Sequence, residues 1–286
     1  MISWYENSQT FLFAARRLKG RIIAIEGHVE SLETAPGYCA VCEMIVEFRT
    51  SAGVYQGAHV SLREGMVCQR CGISSRGRLL FDAIGETVGS DANPRGAILE
   101  ALSPFAAALL TRYPSLTMSE YLGGDMKSGE SLILRGMIVR HESMLQLSYP
   151  DASLDVVSHS DVLEHVYDTD LALRESLRVL RSGGACVFLM PFFPFRPQSL
   201  LRGRLRSDGT IEDIEKPEFH GDVVTGKGIY TFHYFGMDFI DRVREAGFRD
   251  VQVGLAHDAF QGYLSNNYCY GDDCIVLPTV FRAYAP

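Results

Sequence analysis

Four cysteines of this chain are spaced to hold a metal ion. Cys39 and Cys42, then Cys68 and Cys71, form two Cys-x2-Cys knuckles separated by 25 residues. Two residues between thiolates let a tight turn aim both sulfurs at one ion, and two such turns complete a tetrahedral Zn(II) site. Gly37 precedes the first knuckle and Gly72 follows the second, where tight turns accept glycine most readily. A single pair is also the pattern of a redox dithiol; two pairs at this separation point to metal. Four protein ligands close the ion to substrate, so structural zinc is expected, in a ribbon with strands over 44–49 and 54–60. Cys186, Cys269 and Cys274 stand alone, and Cys186, inside the apolar run 185–190, reads as a core thiol.

A second concentration of chemistry is the run Ser158-His159-Ser160-Asp161-Val162-Leu163-Glu164-His165-Val166, which follows an apolar segment. Further on, His220 lies in Glu218-Phe219-His220-Gly221-Asp222, and His233 closes the same polar stretch. These histidines are the candidate general bases, His165 and His220 foremost, with Asp222 placed to orient the His220 imidazole. Gly221 and Asp222 are also turn formers, so capping a turn is the competing role for His220.

The elements that position these residues alternate. Strands are expected over 96–102, 116–121, 136–141, 154–158, 185–192, 251–255 and 274–283. Helices are expected over 104–113, with Pro104 at the first turn; over 169–181, capped by Asp168 and stopped by Gly183 and Gly184; and over 236–246. Such alternation specifies an α/β, doubly wound, Rossmann-like sheet. Residues 193–235, rich in Pro, Gly, Phe and charge, interrupt it as an insertion of the kind that builds substrate sites. The expected division is 1–90, an N-terminal helix and four-cysteine zinc ribbon, and 91–286, the sheet domain.

Ligands of such sheets bind beyond the carboxyl ends of the strands, at the point where strand order reverses. The residues just past those ends are Glu100 and Ser103, then Glu120 and Tyr121, then Glu142 and Ser143, then Ser160. Glu120 stands 20 residues beyond Glu100, the distance at which an acid accepts hydrogen bonds from a nucleoside's ribose.

The stretch LDVVSHSDVLEHVYDTDLALRESLRVLRSGGACVFLMPF, residues 154–192, closely resembles the core of class I S-adenosylmethionine-dependent methyltransferases of the small-molecule type. The likeness runs through their fourth strand, the SDVLEHV run, the helix ending in LRxGG and the fifth strand. The preceding LQLSYPDASLD at 145–155 is similar to the family's approach to that strand. With the ribbon, SEYLGGD at 119–125, EFHGD at 218–222 and HYFGMDFIDRVREAGF at 233–248, most of the chain resembles a bacterial subfamily of zinc-ribbon methyltransferase-like proteins.

The resemblance implies S-adenosyl-L-methionine as cofactor. Glu120 would then be the ribose ligand, Glu142 or Ser143 would take the adenine edge, and His165 would lie beside the cofactor. One departure stands out. The family's first loop carries three glycines that admit ligand to the backbone; counted from Glu100, those positions here are Leu102, Pro104 and Ala106. Either the cofactor is held more by Glu120 and the strand-four loop, or the site has lost it.

Composition sets the outer limits. The chain has 286 residues, of which 47% are apolar, and carries 27 Lys and Arg against 35 Asp and Glu for a net charge of -8. That excludes a disordered chain or a disulfide miniprotein and disfavours a surface that grips nucleic acid throughout. Residues 1–90 hold 9 basic and 9 acidic side chains, so the whole negative balance belongs to the sheet domain. Arg63, Arg70, Arg76 and Arg78 gather around the second knuckle, as an interdomain or solvated face or, less simply, as a nucleic-acid contact. No apolar run reaches the roughly 20 residues of a membrane span, and Arg16, Arg17 and Lys19 follow the apolar segment 11–15 where a signal peptide would place them before it. A cytoplasmic protein is expected.

The expected function is methyl transfer to oxygen or nitrogen of a small polar metabolite, a sugar or natural-product intermediate. The alternatives are an RNA-base methyltransferase that grips RNA through the ribbon, and a non-catalytic scaffold that has lost the donor.

Overall fold

The computed structural model describes the chain except residues 52–54, 57, 58, 90–92, 222, 223, 225 and 267–273. Asp222, Cys269 and the start of the strand expected at 54 lie outside the described residues.

The main sheet has nine strands among the described residues: β1 (Ser3–Tyr5), β2 (Gly96–Ile98), β3 (Leu116–Glu120), β4 (Ser131–Leu134), β5 (Met137–His141), β6 (Leu154–Ser160), β7 (Leu180–Leu189), β8 (Arg249–Leu255) and β9 (Thr279–Tyr284). In space they run β1-β8-β9-β7-β6-β2-β3-β5-β4. The five strands β5, β3, β2, β6 and β7 are parallel. Strand β9 is antiparallel to both β7 and β8, β1 to β8, and β4 to β5. The chain builds outward from β2 to β3 and β5, then returns to lay β6 on the other side of β2. That reversal is the switch point, and its carboxyl ends are Ile98 and Ser160.

Burial on both faces explains the apolar stretches 156–157 of β6 and 185–189 of β7. The helices are α1 (Ser8–Glu30), α2 (Ser75–Val88), α3 (Pro104–Arg112), α4 (Thr169–Val179) and α5 (Phe239–Glu245). On one face Phe11 of α1, Leu173 of α4 and Val243 of α5 share a core with Val157 and Phe188. On the other, Leu80 of α2 and Leu109 of α3 pack with Val156 and Val187. Asp168 caps α4 as expected, accepting from Leu171 N at 2.9 Å. Cys186 is fully buried, as a core thiol should be.

Several element boundaries differ from those expected. Strand β2 ends at Ile98 instead of 102, and β7 ends at Leu189, before Pro191, instead of at 192. Helix α4 stops at Val179 because Leu180 turns extended (φ -76°, ψ 133°) and opens β7. The last strand begins at Thr279, after Pro278, which has no amide hydrogen to give a ladder. Helix α2 and strand β4 are additions that the periodicity does not signal, while β5 lies where a strand was expected over 136–141.

The N-terminal module is a three-stranded antiparallel ribbon of Thr34–Cys39, Met44–Arg49 and Val67–Cys68, with a short hairpin of Tyr55–Gln56 and His59–Val60 where one strand was expected. It is bound into the sheet domain. Tyr38 N donates to Phe260 O at 2.7 Å, and a Cβ on Gly37 would lie 2.2 Å from that same oxygen. Glu26 of α1, fully buried, accepts from Ser265 N at 2.8 Å and lies 3.0 Å from His257 Nε2. The insertion folds as three small antiparallel pairs, Leu200–Leu201 with His233–Tyr234, Gly203–Leu205 with Ile211–Asp213, and Phe219–Gly221 with Gly228–Tyr230. It docks on the 3-10 turn Leu163–His165 that follows β6, through Phe232 N to Glu164 O at 2.7 Å.

Candidate functional site

The four thiols converge. Cys39 Sγ lies 3.8 Å from Cys71 Sγ and Cys42 Sγ lies 3.9 Å from Cys68 Sγ, and all four sulfurs are within 4.8 Å of one another. Sulfurs each roughly 2.3 Å from one ion at tetrahedral corners are about 3.8 Å apart, so the donor set has the size and softness for zinc. The second knuckle turns through Gly72 (φ +73°), whose N–H donates to Cys68 O at 2.8 Å.

At the switch point the ribbon module reaches the sheet. Arg63 grips Asp161 with both terminal nitrogens, at 3.0 and 2.5 Å. Arg76, near the start of α2, places Nη1 2.5 Å from Ser160 Oγ and Nε 2.6 Å from Glu64 and 3.1 Å from Asp161. Asp161 is left-handed (φ +51°), which aims its carboxylate back at these guanidiniums. Burial works against its charge, but Arg63 and Arg76 prevail and hold it down at about 2. Glu100 also lies in the field of Arg76; burial raises its pKa against that attraction. Arg78 is fully buried, donates to four carbonyls, those of Met66, Ile73, Gln261 and Gly262, and covers the Phe48 ring at 4.1 Å. Three of the four clustered arginines therefore serve the interdomain contact, and Arg70 alone of them is exposed.

The residues past the strand ends divide into two groups. Glu120 Oε2 accepts from Ala101 N at 3.2 Å, joining the end of β3 to the loop after β2. Ser103 caps α3, accepting from Ala106 N at 3.2 Å. Glu100, Glu120 and Ser160 thus flank the switch point. Tyr121 is exposed on the rim and leans on the His141 ring at 5.3 Å. The other group is braced internally. Glu142 is buried, and its oxygens accept from Arg140 Nε at 2.9 Å, Ser148 N at 2.9 Å and Ser148 Oγ at 2.5 Å. Ser143 accepts from Leu145 N at 3.3 Å, and its own N–H donates to Ser128 Oγ at 2.9 Å.

The histidines divide in the same way. His159 is stacked on Phe188 at 4.9 Å inside the core, where burial depresses its pKa to about 3. His233 is buried against Phe235, and burial, seconded by Arg242, lowers it to about 4. His165 and His220 instead meet edge to face, 5.0 Å apart. Among the described residues Glu218 orients His220, with Oε1 3.1 Å from Nε2; Asp222, expected in that role, lies outside them. Between the two imidazoles lies Glu164, fully buried, with Oε1 3.7 Å from His165 Nε2 and 3.8 Å from His220 Nδ1. Burial first, then the charge of Asp161, raises its pKa well above the carboxylate range.

Sequence reasoning missed Glu164, although its place next to His165 was a usable signal, and it missed Arg76. No sequence pattern announces that α2 would turn an arginine toward the end of β6. Phe192, next to the insertion, is wholly in the core, edge to face with Phe281 at 5.0 Å. A cavity of about 280 Å³ lies at the other end of the sheet, between Asn93, Asp155, Gly183 and Tyr284, away from all these groups.

Comparison with known proteins finds similarity centred on the middle of the chain. Residues 96–188 match the family model of a methyltransferase domain. The segment runs from β2 through β7 and so contains every parallel strand of the switch-point region. Over 123 residues the chain is 32% identical to a probable S-adenosylmethionine-dependent methyltransferase of Mycolicibacterium smegmatis, a match covering 41% of this chain and 47% of that one. The chain thus spans about half the length of the curated relative it matches. Among solved structures it is similar to an S-adenosylmethionine-dependent methyltransferase of Thermotoga maritima, described as a possible histamine N-methyltransferase, at 18% identity over 74% of this chain and 91% of that one (TM-score 0.39). A methyltransferase from Mesorhizobium loti aligns at 14% identity over 74% of this chain and 100% of that one (TM-score 0.41). Among the described residues no helix is long and apolar enough to cross a membrane.

Proposed function

We propose that the protein is a methyltransferase that uses S-adenosyl-L-methionine to methylate oxygen or nitrogen of a small polar metabolite, such as a sugar or natural-product intermediate, and that its four-cysteine ribbon holds structural zinc. The observation that carries the reading is the charged array at the switch point of the domain matched over 96–188: Arg76 on one side, Glu100 and Glu120 on the other, Ser160 between.

These groups fit the donor in kind. Its methionyl part is a zwitterion, for which Arg76 offers a cation to the carboxylate and Glu100 an anion to the ammonium. Its ribose diol suits Glu120. The loop after β2 fits less well, since Leu102, Pro104 and Ala106 carry side chains where glycines would admit the ligand to the backbone. The charged side chains around the loop are what remains to hold the donor.

When bound, the donor supplies an electrophilic methyl group on a positively charged sulfur. The protein's own work is then to align an acceptor lone pair and exclude water. The insertion, docked on the turn Leu163–His165, forms the acceptor side and brings His220 to His165. Arg63 and Arg78 are engaged internally and Arg76 is turned into the switch point, which removes most of the cluster on which an RNA grip would rest. The neutral charge of residues 1–90 points the same way.

The test is transfer of label from S-adenosylmethionine carrying a tritiated methyl group, offered in parallel to a small-molecule extract and to total RNA. Label in a low-mass product is expected. Label confined to RNA would replace this reading with the RNA-base alternative, and no label in either would favour the scaffold.

A further inference from the structure

Glu164 poses a problem that methyl transfer does not solve. Its side chain is fully buried, and among the described residues neither carboxylate oxygen has a hydrogen-bond partner. An isolated buried carboxylate costs several kcal/mol unless it is neutralised or paired, and native proteins seldom leave one so. Its nearest polar neighbours are two ring nitrogens at 3.7 and 3.8 Å, beyond hydrogen-bond reach.

The partners of the two imidazoles decide what those nitrogens are. His165 Nδ1 lies 2.9 Å from Tyr230 O, and a carbonyl only accepts, so Nδ1 carries the hydrogen and Nε2 presents its lone pair toward Glu164. His220 Nε2 lies 3.1 Å from Glu218 Oε1, so Nε2 carries the hydrogen and Nδ1 presents its lone pair to the same point. Glu218 is held in turn by the Tyr234 hydroxyl and by Arg202, 3.3 Å away. One carboxylate oxygen and two bare imidazole nitrogens thus face one point, all within 4.8 Å of one another. Each imidazole donates its other N–H to a carbonyl or an anchored carboxylate, as metal-bound histidines do.

We infer that Glu164, His165 and His220 form a second metal site, which binds a divalent first-row ion through one carboxylate and two imidazoles. Donors about 2.1 Å from one ion stand about 3 to 4 Å apart, so the observed spacing closes slightly on binding. Oxygen and nitrogen ligands without thiolate suit Mn(II), Fe(II), Co(II) or Zn(II). Three protein ligands leave positions open, unlike the four sulfurs of the ribbon. The insertion supplies His220 and the turn after β6 supplies the other two ligands, so the ion also ties the insertion to the sheet. On the methyltransferase reading its open positions face the acceptor side, where they suit an acceptor oxygen.

The site is tested with metal alone, without donor or acceptor, so its fate is separate from that of the methyltransferase reading. Protein with ribbon zinc in place is titrated with Co(II), with binding read by elemental analysis and by the weak visible bands of a nitrogen and oxygen site. The wild type is expected to take up one Co(II) beyond the zinc. Glu164→Gln and His220→Ala should lose that ion while keeping the zinc, and Glu218→Gln should weaken it by about 10-fold to 100-fold. In the wild type, Co(II) should also slow carbethoxylation of His220 by diethyl pyrocarbonate, a readout that requires no variant to fold. The inference is overturned if the wild type binds no ion beyond the zinc, if Glu164→Gln and His220→Ala bind it as well as the wild type, or if Co(II) leaves His220 unprotected.

Discussion

Replacing Asp161 with Asn removes one charge from the junction of ribbon and sheet while leaving the backbone undisturbed, since Asn tolerates the left-handed conformation (φ +51°) that Asp161 adopts. In the native protein this carboxylate neutralises Arg63, bound through two hydrogen bonds at 3.0 and 2.5 Å, and Arg76 at 3.1 Å. Without it, the two guanidiniums share Glu64 alone among the carboxylates they contact. Two routes bound the cost. Breaking a buried ion pair from one side costs about 3 to 5 kcal/mol. The depression of Asp161 from 3.8 to about 2 corresponds to roughly 2 to 3 kcal/mol of stability at neutral pH. The variant should therefore lose about 2 to 5 kcal/mol at pH 7.

The sign of the pH dependence follows from the direction of the shift. The folded pKa is below the unfolded one, so the contribution is complete above about pH 5 and is lost as pH falls from there toward 2. Urea unfolding of both proteins at pH 7 and at steps down to pH 3 should show the gap narrowing as the wild type approaches the variant. A gap below about 0.5 kcal/mol at pH 7, or one that persists unchanged as pH falls, would refute the electrostatic account of this junction.

The ribbon and its attachment yield further expectations. Protein purified without chelator should carry one ribbon zinc per chain, and Cys68→Ser should lose it and expose the ribbon to protease; a Cys68→Ser protein that keeps its zinc and its resistance would remove the metal from the account. Gly37→Ala places a methyl group 2.2 Å from Phe260 O and 2.7 Å from Phe48 Cε2, so it should destabilise the protein by about 1 to 3 kcal/mol in thermal or urea melts. A neutral effect would mean that the ribbon is not packed on the 257–266 segment as described.

The sequence carried most of the sheet because the central strands β6 and β7 hold apolar stretches that are buried on both faces, while Pro104 and Asp168 mark the starts of α3 and α4. Strand β4 was harder to read, since Ile133 is exposed there and leaves no clear alternation, although its partner β5 was expected over 136–141. The position of Glu100, Ser103, Glu120 and Ser160 at or just past strand ends, and of His165 on the turn after β6, was legible. What escaped depends on contacts between distant segments. Arg76 reaches Ser160 across 84 residues, and Glu164 gains its meaning only when the insertion folds back and brings His220 to it. Glu142 lies next to its expected place, but Arg140 and Ser148 have claimed it, a competition no single position reveals.

The claim at the centre of this account is that the switch point binds the methyl donor without the glycines of its first loop. Calorimetric titration of the protein with S-adenosylmethionine and with its demethylated product tests it directly. The account predicts saturable binding of both, weakened about tenfold or more in Glu120→Ala, the loss expected when a carboxylate stops accepting ribose hydrogen bonds. Absence of heat at high micromolar ligand, or binding indifferent to Glu120, would contradict it.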